Sequence, residues 1–288
     1  MILTADAWRA RWDALGLPPD ALPACPELGL RYPWQQIALR ALSDLHRRKV
    51  AAARERIREA SRLEGGVWRL GWSAGKDSTA CAALIAECGL QSIFPAFGEK
   101  DDIDYPGEVE YLHTVAAALE MPPVEVLRPK VMLLDWLATQ GINLTEDLHS
   151  QAAGLSSEHF YGLLREHRKQ SGHNAVVLGL RSNESKHRAK NRATHGWMYK
   201  RADGLTVCAP LADWEDIDVH AYLMARDIPV LPVYLCVDPG MDALRIRKSW
   251  WLAGGGVARH GHYQWLRRWW PDLWETAAAI DTRIRLLS

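Results

Sequence analysis

The sequence has few cysteines and no long apolar run, and both absences exclude classes of protein. Its five cysteines are an odd number and no two of them have C-x-x-C spacing. A disulfide framework and a cysteine-only metal or iron–sulfur site are therefore poorly supported. No apolar stretch approaches the roughly 20 residues that cross a bilayer, and the first residues lack the basic-then-apolar order of a secretory signal. We expect a cytoplasmic globular protein with no iron–sulfur cluster and no membrane partner.

A net charge is also lacking, because 35 basic residues balance 35 acidic ones. No global field therefore indicates nucleic acid as a partner, although local patches are not excluded. With 48% hydrophobic residues, the chain can bury a sizeable core.

An alternation of short apolar runs and helical patterns fills residues 65–238. The runs at 67–72 and 175–180 are typical of strands buried in a parallel sheet. Further strands are predicted at 92–97, 124–127 and 206–211, and helices at 76–88, 106–119, 131–139, 156–169 and 216–225. Strands separated by helices predict an α/β fold, with a Rossmann-like, mostly parallel sheet and flanking helices.

Two helical segments flank this predicted nucleotide-binding α/β domain. Residues 1–64 form a helical lead-in, with one or two amphipathic helices between 34 and 63. Residues 239–288 form an aromatic and basic helical tail, which we expect to pack on the domain.

A loop at the end of the first predicted strand has the residues of an anion site. Gly75 permits close approach of backbone to a phosphate, Ser73 and Ser78 offer hydroxyl donors, and Lys76 adds a full charge. The first turn of the helix that follows supplies unpaired N–H groups and a partial positive charge. The loop is not the common G-x-x-x-x-G-K-[ST] phosphate loop, because Asp77 stands where that pattern has Ser or Thr.

Residues 73–78 resemble the S-G-G-K-D-S pyrophosphate loop of the PP-loop superfamily, in its phosphoadenosine phosphosulfate (PAPS) reductase-like branch. Ala74 replaces the first glycine, a departure that should still fit a tight turn. Three further segments resemble that branch in the expected order. They are Asp104-Tyr105-Pro106, the G-x-R-x-x-E-S-x-x-R pattern over 179–188, and the P-L-x-D-W…I-P…P-x-Y run over 210–234.

This resemblance implies an adenine nucleotide, ATP or PAPS, at the carboxyl ends of the strands, where open α/β sheets bind ligands. Lys76 and Asp77 are the implied catalytic residues, with Mg²⁺ held near Asp77. The implied nucleotide or phosphate contacts are Ser73, Ala74, Gly75, Lys76, Ser78, Arg181, Glu184, Lys186 and Arg188. The alternative for Glu184 and Arg188 is a surface helix pair, worth only about 0.3–0.5 kcal/mol.

The chain departs from the reductases of that branch, whose thiolate lies in a carboxy-terminal E-C-G-L-H segment. Glu87-Cys88-Gly89-Leu90 is followed by Gln91 and lies in the first βα unit, and no cysteine follows Pro239. The leading hypothesis is Mg²⁺-assisted cleavage between the α- and β-phosphates of ATP with adenylation of an unknown acceptor. The alternatives are a sulfonucleotide reductase or sulfurtransferase that uses an external thiol, and a non-catalytic nucleotide-sensing or nucleic-acid-linked module.

The tail mixes tryptophans with arginines and has two interpretations. Such mixtures bind single-stranded nucleic acid by stacking and charge. The same aromatic residues also fit helix faces that pack on a core, and this is the interpretation we favour.

Overall fold

The computed structural model describes residues 1–2, 4–23, 25–63, 65–90, 92–98, 104–131, 139, 155–248 and 262–286. Its strands are β1 Trp68–Gly71, β2 Phe94–Gly98, β3 Glu125–Leu127, β4 Ala175–Val177, β5 Met198–Lys200 and β6 Thr206–Cys208. The helices up to β4 are α1 Ala5–Ala14, α2 Trp34–Leu42, α3 Asp44–Ser61, α4 Lys76–Glu87, α5 Glu108–Ala118 and α6 Leu155–Ser171. The remaining helices are α7 Lys186–His195, α8 Asp216–Ala225, α9 His262–Trp269 and α10 Pro271–Ile280.

The six strands form one sheet in the order β3-β2-β1-β4-β6-β5. All pairs are parallel except β5 with β6, which is antiparallel. The chain proceeds outward from β1 to β2 and β3, and then crosses to β4 on the other side of β1. Strand order therefore reverses between β1 and β4, and a crevice at such a reversal is where open α/β sheets bind ligands.

One hydrophobic core joins the sheet to both helical flanks. Trp12 of α1, Leu84 of α4 and Trp269 of α9 belong to the same buried cluster. The indole of Trp8 donates to the carbonyl of Val230 at 3.1 Å, which ties the lead-in to the loop after α8. In the tail Trp265, Trp269, Trp270 and Trp274 are buried.

The faces of these four buried tryptophans are therefore not open to nucleic acid. Trp250 and Trp251 lie outside the described residues.

The mostly parallel α/β fold predicted from the sequence is confirmed. The helix over 216–225 has the predicted bounds, and the segment 34–63 forms two helices broken at Ser43. The strand predicted at 206–211 ends at Cys208, and the helix predicted from residue 106 begins at Glu108. The predicted helix at 131–139 falls almost entirely outside the described residues.

No described helix is both long and apolar enough to span a bilayer.

Candidate functional site

The predicted anion loop lies between the end of β1 at Gly71 and the start of α4 at Lys76. Ser78 holds it closed, since its hydroxyl donates to the carbonyl of Gly75 at 2.9 Å and accepts from the N–H of Ser73 at 3.1 Å. Gly75 caps α4, and a Cβ at this position would lie 3.3 Å from the hydroxyls of Ser73 and Tyr234. Ala74 is buried and has a φ of 56°, in the left-handed region that favours glycine. The tight turn is thus formed despite the alanine, at a cost in backbone strain.

Unpaired backbone donors collect at the start of α4. Within the described part of the chain, the N–H groups of Gly75, Asp77 and Ser78 donate to no protein acceptor. The N–H of Lys76 donates to the hydroxyl of Tyr234 at 3.0 Å. Together with the helix dipole, these donors make the loop a binding site for an anion.

Lys76 is buried beside two carboxylates. Its Nζ lies 3.2 Å from Asp77 Oδ2 and 3.7 Å from Asp216 Oδ1, and 5.4 Å from the centre of the Tyr234 ring. Burial opposes ionisation of Asp77, but the charges of Lys76 and Arg181 outweigh it and hold the Asp77 pKa below its usual value. Asp77 is therefore a carboxylate at neutral pH.

Arg181 points towards these carboxylates and away from the cleft above the loop. Its guanidinium donates to Asp77 Oδ1 at 2.5 Å, to Asp216 Oδ1 at 2.6 Å and to Asn183 Oδ1 at 2.8 Å. The side chain is buried and is not among the residues that line the cleft above the loop. In this arrangement Arg181 fixes Asp77 and Asp216, and through them Lys76.

The other residues of the predicted 179–188 segment are divided between the cleft and the surface. Glu184 and Arg188 form an ion pair and both line the cleft. Glu184 also accepts from the backbone N–H of Arg181 at 3.1 Å, which closes the turn between β4 and α7. Lys186 is exposed and does not line the cleft.

Two cations from the chain after Pro239 also belong to the site, although the sequence analysis placed neither of them there. Arg247 lines the cleft and donates to the carbonyl of Glu184 at 2.9 Å. Lys248 donates to the carbonyl of Ser73 at 3.1 Å, pairs with Glu108 and lies 3.2 Å from Asp104 Oδ1. Burial raises the pKa of Glu108 to about 7, against the opposing charge of Lys248.

The resulting cleft has a volume of about 350 Å³. Its lining includes the α4 N-terminus and the cationic side chains of Lys76, Arg188, Arg247 and Lys248. It also includes apolar residues, which are Ala96, Phe97, Leu164, Leu178 and Leu180. A cleft that combines apolar walls with cations is suited to a ligand that has a flat base and a chain of phosphates.

The described residues fit a protein-held metal poorly. They contain no group of three or more metal-ligating side chains. Asp77, the predicted ligand, has one carboxylate oxygen on Arg181 and the other on Lys76. A Mg²⁺ ion at this site would depend on phosphate oxygens for most of its ligands, as Mg²⁺ commonly does.

No cysteine side chain reaches the cleft. Cys81, Cys208 and Cys236 are buried, and Cys25 and Cys88 are half-buried. None of these five, which are all the cysteines of the chain, lines the cleft. Burial raises the pKa of Cys81 and of Cys88, which disfavours a reactive thiolate at either position.

Comparison with known proteins identifies the family. Residues 69–236, more than half of the chain, match the phosphoadenosine phosphosulfate reductase domain family, and the chain belongs to that family. The resemblance found in the sequence is thereby confirmed.

Individual relatives match over shorter stretches. Sulfate adenylyltransferase subunit 2 of Rhizobium meliloti is 32% identical over 91 residues, which are 25% of this chain and 30% of that protein. Adenosine 5'-phosphosulfate reductase of Burkholderia cepacia is 34% identical over 90 residues, 27% of this chain and 34% of that protein. The PAPS reductase of Candida auris, solved as a phosphate complex, is 17% identical with a TM-score of 0.46, over 62% of this chain and 82% of that one. The chain thus spans only about a third of the length of these two curated relatives.

Proposed function

We propose that this protein binds ATP in the cleft and cleaves it between the α- and β-phosphates, transferring the adenylyl group to an acceptor oxygen. One observation carries the proposal. The cleft gathers the unpaired N–H donors of the α4 N-terminus and five cationic side chains, and no cysteine lines it. This equipment positions and neutralises phosphates but does not supply a thiol nucleophile.

In the proposed reaction an oxygen of the acceptor forms a bond to the α-phosphorus. The bond from that phosphorus to the oxygen that bridges to the β-phosphate breaks, and pyrophosphate leaves with the electron pair. The protein's task is to hold the triphosphate in line with the acceptor and to neutralise the charge that develops on the leaving group. Bound Mg²⁺ would supply further neutralisation of the phosphate oxygens.

Lys76 is the residue that we propose to act directly on the leaving pyrophosphate. Its position is fixed from both sides, because Asp77 accepts a hydrogen bond from it, Asp216 pairs with it at 3.7 Å, and both carboxylates are held by Arg181. Lys248 fixes the start of the loop through the Ser73 carbonyl. Such preorganisation lowers the barrier because no reorganisation is needed when charge develops.

Sulfate is the first acceptor to test. Three relatives have the name sulfate adenylyltransferase subunit 2, and each is 32% identical over the matched stretch. A sulfate oxygen as nucleophile would give adenosine 5'-phosphosulfate and pyrophosphate from ATP.

The test combines binding and turnover in the same set of proteins. Lys76→Met retains the packed alkyl chain but removes the charge, and Lys169→Met is the matched control, because Lys169 is 76% exposed on α6. Wild type and Lys169→Met should show an ATP-dependent rise in melting temperature and release pyrophosphate with ATP, Mg²⁺ and sulfate. Lys76→Met should lose most of the ATP-dependent rise in melting temperature and most of the pyrophosphate release.

Two outcomes would contradict the proposal. If ATP stabilises no variant, the cleft is not an ATP site. If the wild type instead releases sulfite from PAPS with an added dithiol and forms no pyrophosphate, the reductase alternative that uses an external thiol replaces it.

A further inference from the structure

Arg69 is a buried cation on the floor of the cleft. It lies on β1, and since side chains alternate along a strand it shares a face with Gly71, while Leu70 faces the opposite side. Arg69 is only 5% exposed, yet it is one of the residues that line the cleft. One terminal nitrogen lies 3.8 Å from where a Cβ of Gly71 would be, which directs the guanidinium towards the carboxyl edge of the sheet.

The guanidinium of Arg69 is poorly satisfied by the protein. Among the described residues its Nε has no hydrogen-bond partner, and a single long contact of 3.4 Å joins one terminal nitrogen to Nδ1 of His167. Nε2 of His167 lies 2.9 Å from the carboxylate of Glu125. A histidine carries no negative charge, so His167 does not offset the charge of Arg69.

Arg69 forms no direct ion pair with any described carboxylate. Burial lowers its pKa to about 10, partly offset by the charge of Glu125, so it stays protonated at neutral pH. Its second histidine neighbour, His173, has a pKa lowered to about 4 by burial and by Arg69 itself, and is neutral. A buried guanidinium without a direct counter-ion is costly, and the planar fork of an arginine suits an anion with two oxygens.

We propose that Arg69 is the receptor for an oxyanion carried by the second substrate, at a subsite apart from the loop at the start of α4. The ligand class is a small oxyanion, such as sulfate, phosphate or carboxylate. The inference rests on the cleft being the ligand site of the proposed function, but not on the reaction that takes place there. The loop has its own cations for the nucleotide's phosphates, Lys76 within it and Lys248 on the Ser73 carbonyl, so a second oxyanion is the ligand that Arg69 lacks.

The test measures sulfate binding with the loop already occupied. The full chain is saturated with α,β-methylene-ATP, which cannot be cleaved at the proposed bond, and sulfate is titrated by calorimetry. Arg69→Met should weaken sulfate binding at least tenfold and change the affinity for the nucleotide analogue less than twofold. Arg168→Met is the control, because Arg168 lies on the same side of the sheet, is 27% exposed and does not line the cleft, and it should change neither affinity.

The outcomes separate the sources of the oxyanion. A tenfold loss of analogue affinity with unchanged sulfate binding would overturn the proposal and assign Arg69 to the nucleotide. Affinities that both stay within twofold of the wild type would overturn the proposal. Sulfate binding that depends on Arg69 in a protein that forms no pyrophosphate would contradict the proposed reaction and leave this inference standing.

Two further measurements distinguish a receptor from a structural residue. Removal of a buried charge that has no direct ion pair should raise the melting temperature of the unliganded Arg69→Met protein, whereas loss of a structural contact would lower it. In the wild type, the Nε–Hε resonance of Arg69 should shift on addition of sulfate. A resonance that does not move at saturating sulfate would also overturn the proposal.

Discussion

Replacement of Arg181 by methionine tests whether this arginine holds the site together or contacts the nucleotide. In the structure its guanidinium binds Asp77 and Asp216, at 2.5 and 2.6 Å. Methionine fills similar space but leaves the two carboxylates without their shared partner. Removing one member of a buried ion pair costs about 3–5 kcal/mol.

We expect the lower end of that range for Arg181→Met. The two carboxylates are 19% and 23% exposed, so water partly replaces the lost partner. Lys76 also remains beside both of them. The free energy of unfolding should fall by about 3 kcal/mol, which for a chain of this size lowers the melting temperature by about 5–10 °C.

Arg188→Met is the matched control, measured by the same denaturant titrations and by ATP binding. Arg188 is 37% exposed in its pair with Glu184, and such pairs contribute about 1 kcal/mol or less. Its loss should weaken ATP binding much more than adenosine binding, because Arg188 is a cation that lines the cleft. If Arg181→Met instead keeps its stability within about 1 kcal/mol and loses ATP affinity tenfold, the structural role is refuted and the sequence-based prediction of a phosphate contact stands.

Three further predictions concern the loop, the Glu108 carboxyl and the cysteines. Ala74→Gly should raise the free energy of unfolding by about 0.5–1 kcal/mol in a denaturant titration, because φ at this position is 56°; a decrease would show that the turn is not strained. Glu108 has a folded pKa of about 7, above its ordinary 4.5, so its contribution to stability is present below pH 4.5 and lost as the pH rises through 7. The free energy of unfolding of the wild type relative to Glu108→Gln should therefore fall by up to about 3 kcal/mol as the pH rises from 4.5 through 7. A free-energy difference between the two proteins that does not depend on pH would contradict this. Cys88→Ala should cost about 1 kcal/mol of stability and leave turnover within about twofold, so complete loss of activity in the folded variant would refute the view that no cysteine is catalytic.

The loop and its neighbouring elements were predictable because their signal is local. The strand, the glycine and the start of α4 follow one another within ten residues, and each has its own physical signature. The elements that escaped prediction lack such a signature. Helix α7 buries none of its residues, so it shows no apolar periodicity, and β5 has three residues and pairs only with β6.

The rest of the candidate site depends on contacts that no local pattern encodes. Lys248 reaches the carbonyl of Ser73 from 175 positions away in the chain. The sequence placed Arg181 correctly after a buried strand, but the partner that turns its guanidinium aside, Asp216, lies 35 residues further on. Arg69 looks like an interruption in an apolar strand, and only the fold shows that it faces the cleft.

The bond that is broken in ATP tests the central claim most directly. The full chain is incubated with Mg²⁺, sulfate and ATP labelled in either the α- or the γ-phosphate, and the products are separated by chromatography. Cleavage between the α- and β-phosphates predicts γ-label in pyrophosphate and α-label in an adenylyl product. Lys76→Met should form neither labelled product. Release of the γ-label as inorganic phosphate, with the α-label left in ADP, would contradict the account.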